Sequence, residues 1–334
     1  MVKIRDEIVK FFKENIKYLV LFIVLILLFT IELPYKVYAP GGMVELSKRV
    51  NVENGYATNG TLGMAYVSMI KGSIPYLLLS YVIPDWDIVS DTEIKYDNET
   101  MKERIEADKI STEQSISSAI IASYTLAGKS VQVNEEVVHI TYIDEQANTD
   151  LKVLDIVKSV EGQKIKNTKE LKELLKNYRP GDKVTFQVLR SGKEIECTAA
   201  LYDSSDGAKV GVMLTETYDI EETPNCSITM KQSESGPSGG LMMSLQIYND
   251  LTEEDITKGK KIIGTGTIDN EGNVGAIGGV KYKLIGAARK HADIFLVPTD
   301  NYEEAISVKE SHHINIDIIA VGTLKEAINS LENN

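Results

Sequence analysis

Ser238 stands in Ser235-Gly236-Pro237-Ser238-Gly239-Gly240-Leu241-Met242-Met243, a stretch whose residue types suit a nucleophile. Gly236 tolerates unusual φ and Pro237 fixes it, so the pair reads as a turn. Gly239 and Gly240 leave the backbone bare around the hydroxyl, where a substrate backbone could approach. Leu241, Met242, Leu245 and Tyr248 then follow at helical spacing and predict an amphipathic helix. Its free N–H groups and positive dipole end would lie beside the hydroxyl and could stabilise an oxyanion. The plainer reading of the same serine is a helix cap.

A serine hydroxyl is a weak nucleophile and needs a base. Downstream, Thr265-Gly266-Thr267-Ile268 and Val274 flank Asn270-Glu271-Gly272, the pattern of a hairpin. Ile277-Gly278-Gly279-Val280-Lys281-Tyr282-Lys283-Leu284 follows, a Gly-Gly turn feeding a helix that carries two lysines. A lysine serves as base when burial lowers its pKa enough to leave the amine neutral. The ordinary fate of a lysine is a solvated charge. On a helical wheel started at Val280, Lys281 falls between Ala288 and Ile285 on the apolar side, while Lys283 flanks Ala287 and Lys290. Periodicity alone favours Lys281.

These three motifs, in this order, resemble the proteolytic domain of Lon-type serine proteases, over roughly residues 206–331. The resemblance implies a Ser–Lys dyad with Ser238 as nucleophile and Lys283, the second lysine of the motif, as base. It implies that Thr265 positions the lysine, with Gly236 and Gly239 supporting the serine turn. The choice of Lys283 over Lys281 rests on the resemblance. Two local departures stand out: the family often has Asp at the position of Ser235 and Ala at that of Gly239. The first touches the polar support of the site, and the second, glycine in place of alanine, is expected to be tolerated.

The elements that must position these residues come from a chain of 334 residues, enough for two to three domains. It is 43% hydrophobic and 25% charged, an ordinary globular balance, and its net charge of −13 argues against nucleic acid as a partner. Residues 1–17 carry a basic excess (Lys3, Arg5, Lys10, Lys13 and Lys17 against Asp6, Glu7 and Glu14) and read as a cytoplasmic tail. Tyr18 to Ile31 is uncharged, and no small-residue cleavage site follows it, so residues 18–35 are expected to form an uncleaved transmembrane signal anchor. Everything after it is then placed outside the cell.

Within 36–125, Ala65 to Ile70 reads as a strand, Tyr76 to Ile83 as a buried segment, and Asp97 to Gly128 as a helix. Trp86 is the only tryptophan and is assigned to packing. Residues 126–205 read as a self-contained unit. Val137 to Tyr142 alternates as a strand, Leu154 to Ile165 as strand, turn and strand, and a helix opens at Asn167 or Thr168. A hairpin then turns at Ser191-Gly192. The run Leu154-Asp155-Ile156-Val157-Lys158-Ser159-Val160, then the helix and Arg179-Pro180-Gly181-Asp182, resemble a PDZ domain. Such domains bind extended peptides by adding them as a strand; the plainer alternative is a spacer. Asp144 to Asp150 is more acidic than a usual groove approach, which leaves the ligand class open.

The resemblance assigns residues 206–334 to a Lon-like proteolytic domain. The tail alternates strand (Ile294 to Pro298), helix (Asn301 to Val308), strand (Ile316 to Val321) and helix from Thr323. The expected fold class is α+β or mixed α/β: an N-terminal transmembrane helix, a PDZ β-sandwich-like domain, and a protease domain of mixed sheet with packed helices. The resemblance is to membrane-anchored PDZ-containing Lon-like proteases of Gram-positive bacterial type, in which a segment like 36–125 packs with the protease domain.

Other chemistries are excluded on spacing. His139, His291, His312 and His313 offer no helical metal pair, and Cys197 and Cys226 lack metal spacing. A Ser–His–Asp protease preceding its PDZ domain would carry its serine before residue 126. No P-loop is present, so no ATP, cofactor or metal is expected. The expected partners are peptide or protein substrates, a membrane, and a second copy of the chain. The function expected is ATP-independent serine endopeptidase activity on extracytoplasmic peptides. The alternatives are a catalytically inactive peptide-binding scaffold and a domain that processes only itself.

Overall fold

The computed structural model describes residues 2–94, 99–204, 207–231 and 234–333. The chain divides into two compact units, one of residues 1–40 and 67–94, the other of residues 41–66 and 95–334.

The smaller unit begins with a helix, Val2–Thr30. Its last thirteen residues, Tyr18 to Thr30, are uncharged; at 1.5 Å per residue they extend about 20 Å, against roughly 30 Å of bilayer hydrocarbon. The sequence reading carries a spanning segment through residues 18–35. Instead the helix stops at Thr30, and Tyr35 opens a strand. Among the described residues no helix is long and apolar enough to cross a membrane. Tyr35 to Tyr38 pair antiparallel with Asp87–Ser90. Glu32 binds Lys36 at 2.7 Å and Lys71 at 3.0 Å, and the two lysines hold its carboxyl below the usual range.

Between them runs a short helix, Ile74–Ser80, with Pro75 in its first turn, where a missing N–H costs nothing. The sequence predicts a buried apolar segment over Tyr76 to Ile83, but no residue of this helix is buried. An apolar run does not reveal by its composition what will cover it.

The larger unit contains two bodies built on sheets. In the first, Lys261–Gly264 lies parallel to Thr61–Met64 on one side and to Ile294–Leu296 on the other, and Asp317–Val321 extends the parallel set. Alternate residues of these strands point to opposite faces. Leu62, Met64, Ile262 and Leu296 join the core beneath the helix Gly240–Leu251, whereas Ala65, Ile263, Phe295 and Val297 join that beneath Val280–Arg289 and Tyr302–Ser311. The result is a sheet between two helix layers, the mixed α/β arrangement that strand–helix alternation implies.

The helix expected over 97–128 runs Met101–Leu126, and residues 97 and 98 lie outside the described residues. Thr100 and Glu103 close a capping box at its start. Leu324–Glu332 completes the first helix layer, capped by Thr323 as its sequence suggests.

The second body is the β-rich one. Its sheet runs in the order Val212–Thr223, Ser130–Ile143, Ile156–Val160, Lys183–Arg190, Lys193–Ala200, Asn148–Thr149. Helix Thr168–Leu175, capped by Asn167, buries Leu171 and Leu175 in a core with Ile140, Phe186 and Val188. The carboxylate of Asp155 is fully buried and chelated by Arg190, a fork-to-fork pair that satisfies both oxygens. The sequence reading closes this body at residue 205. The sheet continues past that point, because Val212–Thr223 pairs with Ser130–Ile143 along its whole length. Cys197 and Cys226 are buried free thiols, and burial pushes that of Cys226 up to about 12.

Candidate active site

The serine turn is held from three sides. Gly236 takes φ +112°, a conformation L side chains rarely adopt. Pro237–Gly239 forms one 3-10 turn leading directly into Gly240–Leu251. Ser238 makes no capping bond, so the plainer reading of it as an N-cap fails; Gly239 occupies that position. The helix that follows is not amphipathic in its setting: all eight residues from Gly240 to Ile247 are buried. A central helix of this kind fixes its own first turn rigidly, because almost every side chain is packed.

Opposite the turn lie Thr265 and Gly266. Gly266 N–H donates to the Ser238 carbonyl at 2.8 Å, Thr265 Oγ1 donates to the same carbonyl at 3.0 Å, and Leu241 N–H donates to Gly266 O at 3.1 Å. Thr267–Ile268 then pairs with Val274–Gly275 around an Asp269 turn, the hairpin predicted from sequence.

Lys283 approaches from the helix Val280–Arg289. Its side chain is 4% exposed, and Nζ donates to Thr265 Oγ1 at 3.1 Å. Burial lowers its pKa to about 8, with the Glu304 carboxylate opposing the shift. The wheel's preference for Lys281 is not what the helix does. Its inward stripe is Val280, Lys283, Leu284 and Ala287, while Lys281 is half-buried with its ammonium 5.4 Å from the ring of Tyr282.

Ser238, Thr265 and Lys283 thus come together. The half-buried Ser238 is linked to the lysine through Thr265, and among the described residues no hydrogen bond joins the Ser238 hydroxyl directly to Nζ. Catalytic hydrogen bonds are often long or unformed without substrate. At the start of the helix that follows, Gly240 N–H donates to Pro237 O and Leu241 N–H to Gly266 O.

Four residues that no motif singled out also shape the site. Thr112 Oγ1 accepts from Gly236 N–H at 2.7 Å and Ser115 Oγ donates to Pro237 O at 3.1 Å, so the long helix Met101–Leu126 grips the serine turn. Asn301 clasps Ile277 with both ends of its amide, accepting from its N–H at 2.8 Å and donating to its carbonyl at 3.0 Å. That clasp fixes the Gly278-Gly279 turn, where Gly279 adopts left-handed φ +73° before the lysine helix starts. Met64 is the fourth. A Cβ at Gly239 would lie 1.9 Å from its sulfur, so the buried Met64 side chain would have to move to admit an alanine there.

In the β-rich body, Val212–Thr223 is the terminal strand of the sheet, and Glu216 on it accepts from Thr168 N–H at the start of the helix Thr168–Leu175. This strand–helix pair is the geometry that peptide addition uses. A separate pocket of about 400 Å³ opens between Val133–Val137 and Ile156–Lys158, with Lys164 and Lys166 at its rim; Ser238, Thr265 and Lys283 are not part of it.

Residues 223–332 match the Lon protease (S16) C-terminal proteolytic domain. The chain carries a serine-type endopeptidase domain. Residues 126–201 match a PDZ domain. The Lon protease of Clostridioides difficile is 28% identical over 157 residues, covering 43% of this chain and 20% of its own. That of Haemophilus influenzae is 33% identical over 101 residues (30% and 12%), and that of an aster yellows witches'-broom phytoplasma 30% over 98 (29% and 12%). The chain therefore spans a fifth or less of the length of these curated relatives. Among solved structures, the PDZ domain of an SdrC-like protein from Listeria monocytogenes aligns at 17% identity, over 25% of this chain and 92% of its own, with a TM-score of 0.23.

Proposed function

We propose that this chain is an ATP-independent endopeptidase that uses Ser238 and Lys283 as a dyad, attached to a membrane and acting on peptides outside the cytoplasm. The observation that carries the reading is the buried Lys283 amine within one hydroxyl of the serine turn. The neutral amine takes the Ser238 proton as Oγ attacks the scissile carbonyl, and the oxyanion is held by backbone N–H groups around Ser238. Lys283 returns that proton to the leaving amine, and water repeats the sequence on the acyl-enzyme. Thr265 keeps Nζ in place throughout. An extended peptide beside Val212–Thr223 would be recruited by strand addition. Attachment to a membrane is supported by the apolar residues exposed all along Val20 to Leu27.

The test is cleavage of a disordered protein such as casein, without nucleotide, by the full chain and by Ser238→Ala and Lys283→Ala. Loss of cleavage in both variants is expected. Unchanged cleavage in Ser238→Ala would overturn the assignment. Binding of peptides with no cleavage by the unsubstituted chain, alone and with its oligomers isolated, would favour the scaffold.

A further inference from the structure

The helix Ile74–Ser80 and the turn after it leave an apolar face uncovered. Leu78 is 63% exposed, Tyr81 81% and Val82 79%, a concentration that soluble surfaces avoid. We propose that this segment is a lipid-interface ledge, whose Leu78, Leu79, Tyr81 and Val82 dip into the headgroup–acyl boundary of the bilayer that receives the N-terminal helix. The inference rests on the membrane attachment proposed above.

Three observations select lipid as the occupant. First, the ledge is continuous with the apolar end of the N-terminal helix. Phe29 in its last turn meets Tyr76 edge-on at 6.0 Å, and Tyr76 in turn meets Trp86 at 6.4 Å. Tyrosine and tryptophan are the side chains that favour the membrane interface.

Second, the exposed apolar surface surrounds the helix. Val20, Leu21, Phe22, Ile23 and Val24 are each 44–61% exposed, and consecutive positions point in all directions around a helix. A protein partner covers one side, whereas acyl chains cover all of them. Third, the charges begin immediately past this zone, with Glu32, Lys36 and Lys71 pairing among themselves at the edge of it. That arrangement suits a water boundary just beyond Ile31. The apolar run is also short of a full bilayer thickness, and an interfacial ledge at one end shares the burden by thinning the lipid locally.

Trp86, the only tryptophan, reports on the ledge without labelling. The full chain would be placed in vesicles of phosphatidylcholine and phosphatidylglycerol, some carrying nitroxide lipids labelled near the headgroup and some labelled deep in the acyl chain. The expected result is flotation with the vesicles and Trp86 quenching about twofold or more by the shallow label, with less by the deep one. Leu78→Asn with Val82→Asn, both at exposed positions, should abolish the shallow quenching while casein cleavage is retained. Flotation with Trp86 quenched only by aqueous iodide would overturn the ledge and leave membrane attachment standing. Absence of flotation would overturn membrane attachment itself. Lipid-independent, concentration-dependent shielding of Trp86 would assign the face to a second copy of the chain and overturn the ledge.

Discussion

Lys283 Nζ donates to Thr265 Oγ1 at 3.1 Å in a buried pair, and the Thr265 hydroxyl donates its own hydrogen bond to the Ser238 carbonyl at 3.0 Å. The threonine can do both because a hydroxyl is at once donor and acceptor. It therefore fixes where the base sits relative to the turn that carries the nucleophile.

Thr265→Val keeps the shape and removes both bonds. It should lower kcat/KM on the order of 10- to 100-fold, the effect of leaving a buried polar partner unsatisfied. The alkaline-rising limb of its pH profile should move to lower pH, because the ammonium loses an acceptor. Thr265→Ser should retain most of the activity. Steady-state kinetics across pH 6 to 10 on the three proteins separates these outcomes.

Burial of Lys283 also carries a stability cost with a definite sign. Unfolded, the amine titrates near 10.5; folded, at about 8. Between those values the unfolded chain binds more protons, so stability rises with pH across the window. Below about 8 the full cost is present, on the order of 3 kcal/mol from the size of the shift. Lys283→Met should therefore unfold at higher denaturant than the unsubstituted chain at pH 7, and the difference should shrink by pH 10. Denaturant titrations at the two pH values read this directly.

At Gly239 the prediction concerns a single methyl group. Gly239→Ala should destabilise the chain, because its Cβ would overlap the Met64 sulfur; overpacking of this kind costs about 1–3 kcal/mol. Met64→Val opens that space at a cost of its own. The double variant should be more stable than the sum of the two single effects predicts, and thermal unfolding of all four proteins measures the coupling.

Asn301 acts through Ile277 and is a positioning residue. Asn301→Ala strips both bonds from the Ile277 backbone and frees the turn that starts the lysine helix. The expectation is a kcat reduced about tenfold with KM little changed, as for loss of alignment of a general base. Asn301→Asp keeps the acceptor and should recover part of the loss. A purely structural role would lower unfolding stability and leave the kcat of the folded fraction intact.

Much of this was legible in the sequence where local chemistry decides. The serine turn, the Asp269 hairpin and the strand–helix alternation of the tail announce themselves through glycines, prolines and period. Residues 112, 115 and 301 did not, because a threonine, a serine and an asparagine become site residues only through partners more than twenty positions away. The choice between Lys281 and Lys283 failed on the wheel for a related reason. Which side of a helix is inward depends on what it packs against, and here Val280, Leu284 and Ala287 set that side and carry Lys283 with them. Tyr76 to Ile83 gave the opposite error: the residues were apolar, yet the protein does not cover them.

The central claim is that Lys283 in its neutral form is the base. The direct measurement is the pH dependence of kcat/KM for cleavage of a quenched fluorescent peptide, taken from pH 6 to 10 on the unsubstituted chain and on Lys281→Ala. Activity should rise tenfold per pH unit at the acid end and level off around pH 8, where burial places the amine. Lys281→Ala should give the same profile. A profile flat from pH 6, or a limb that vanishes with Lys281→Ala, would contradict the assignment.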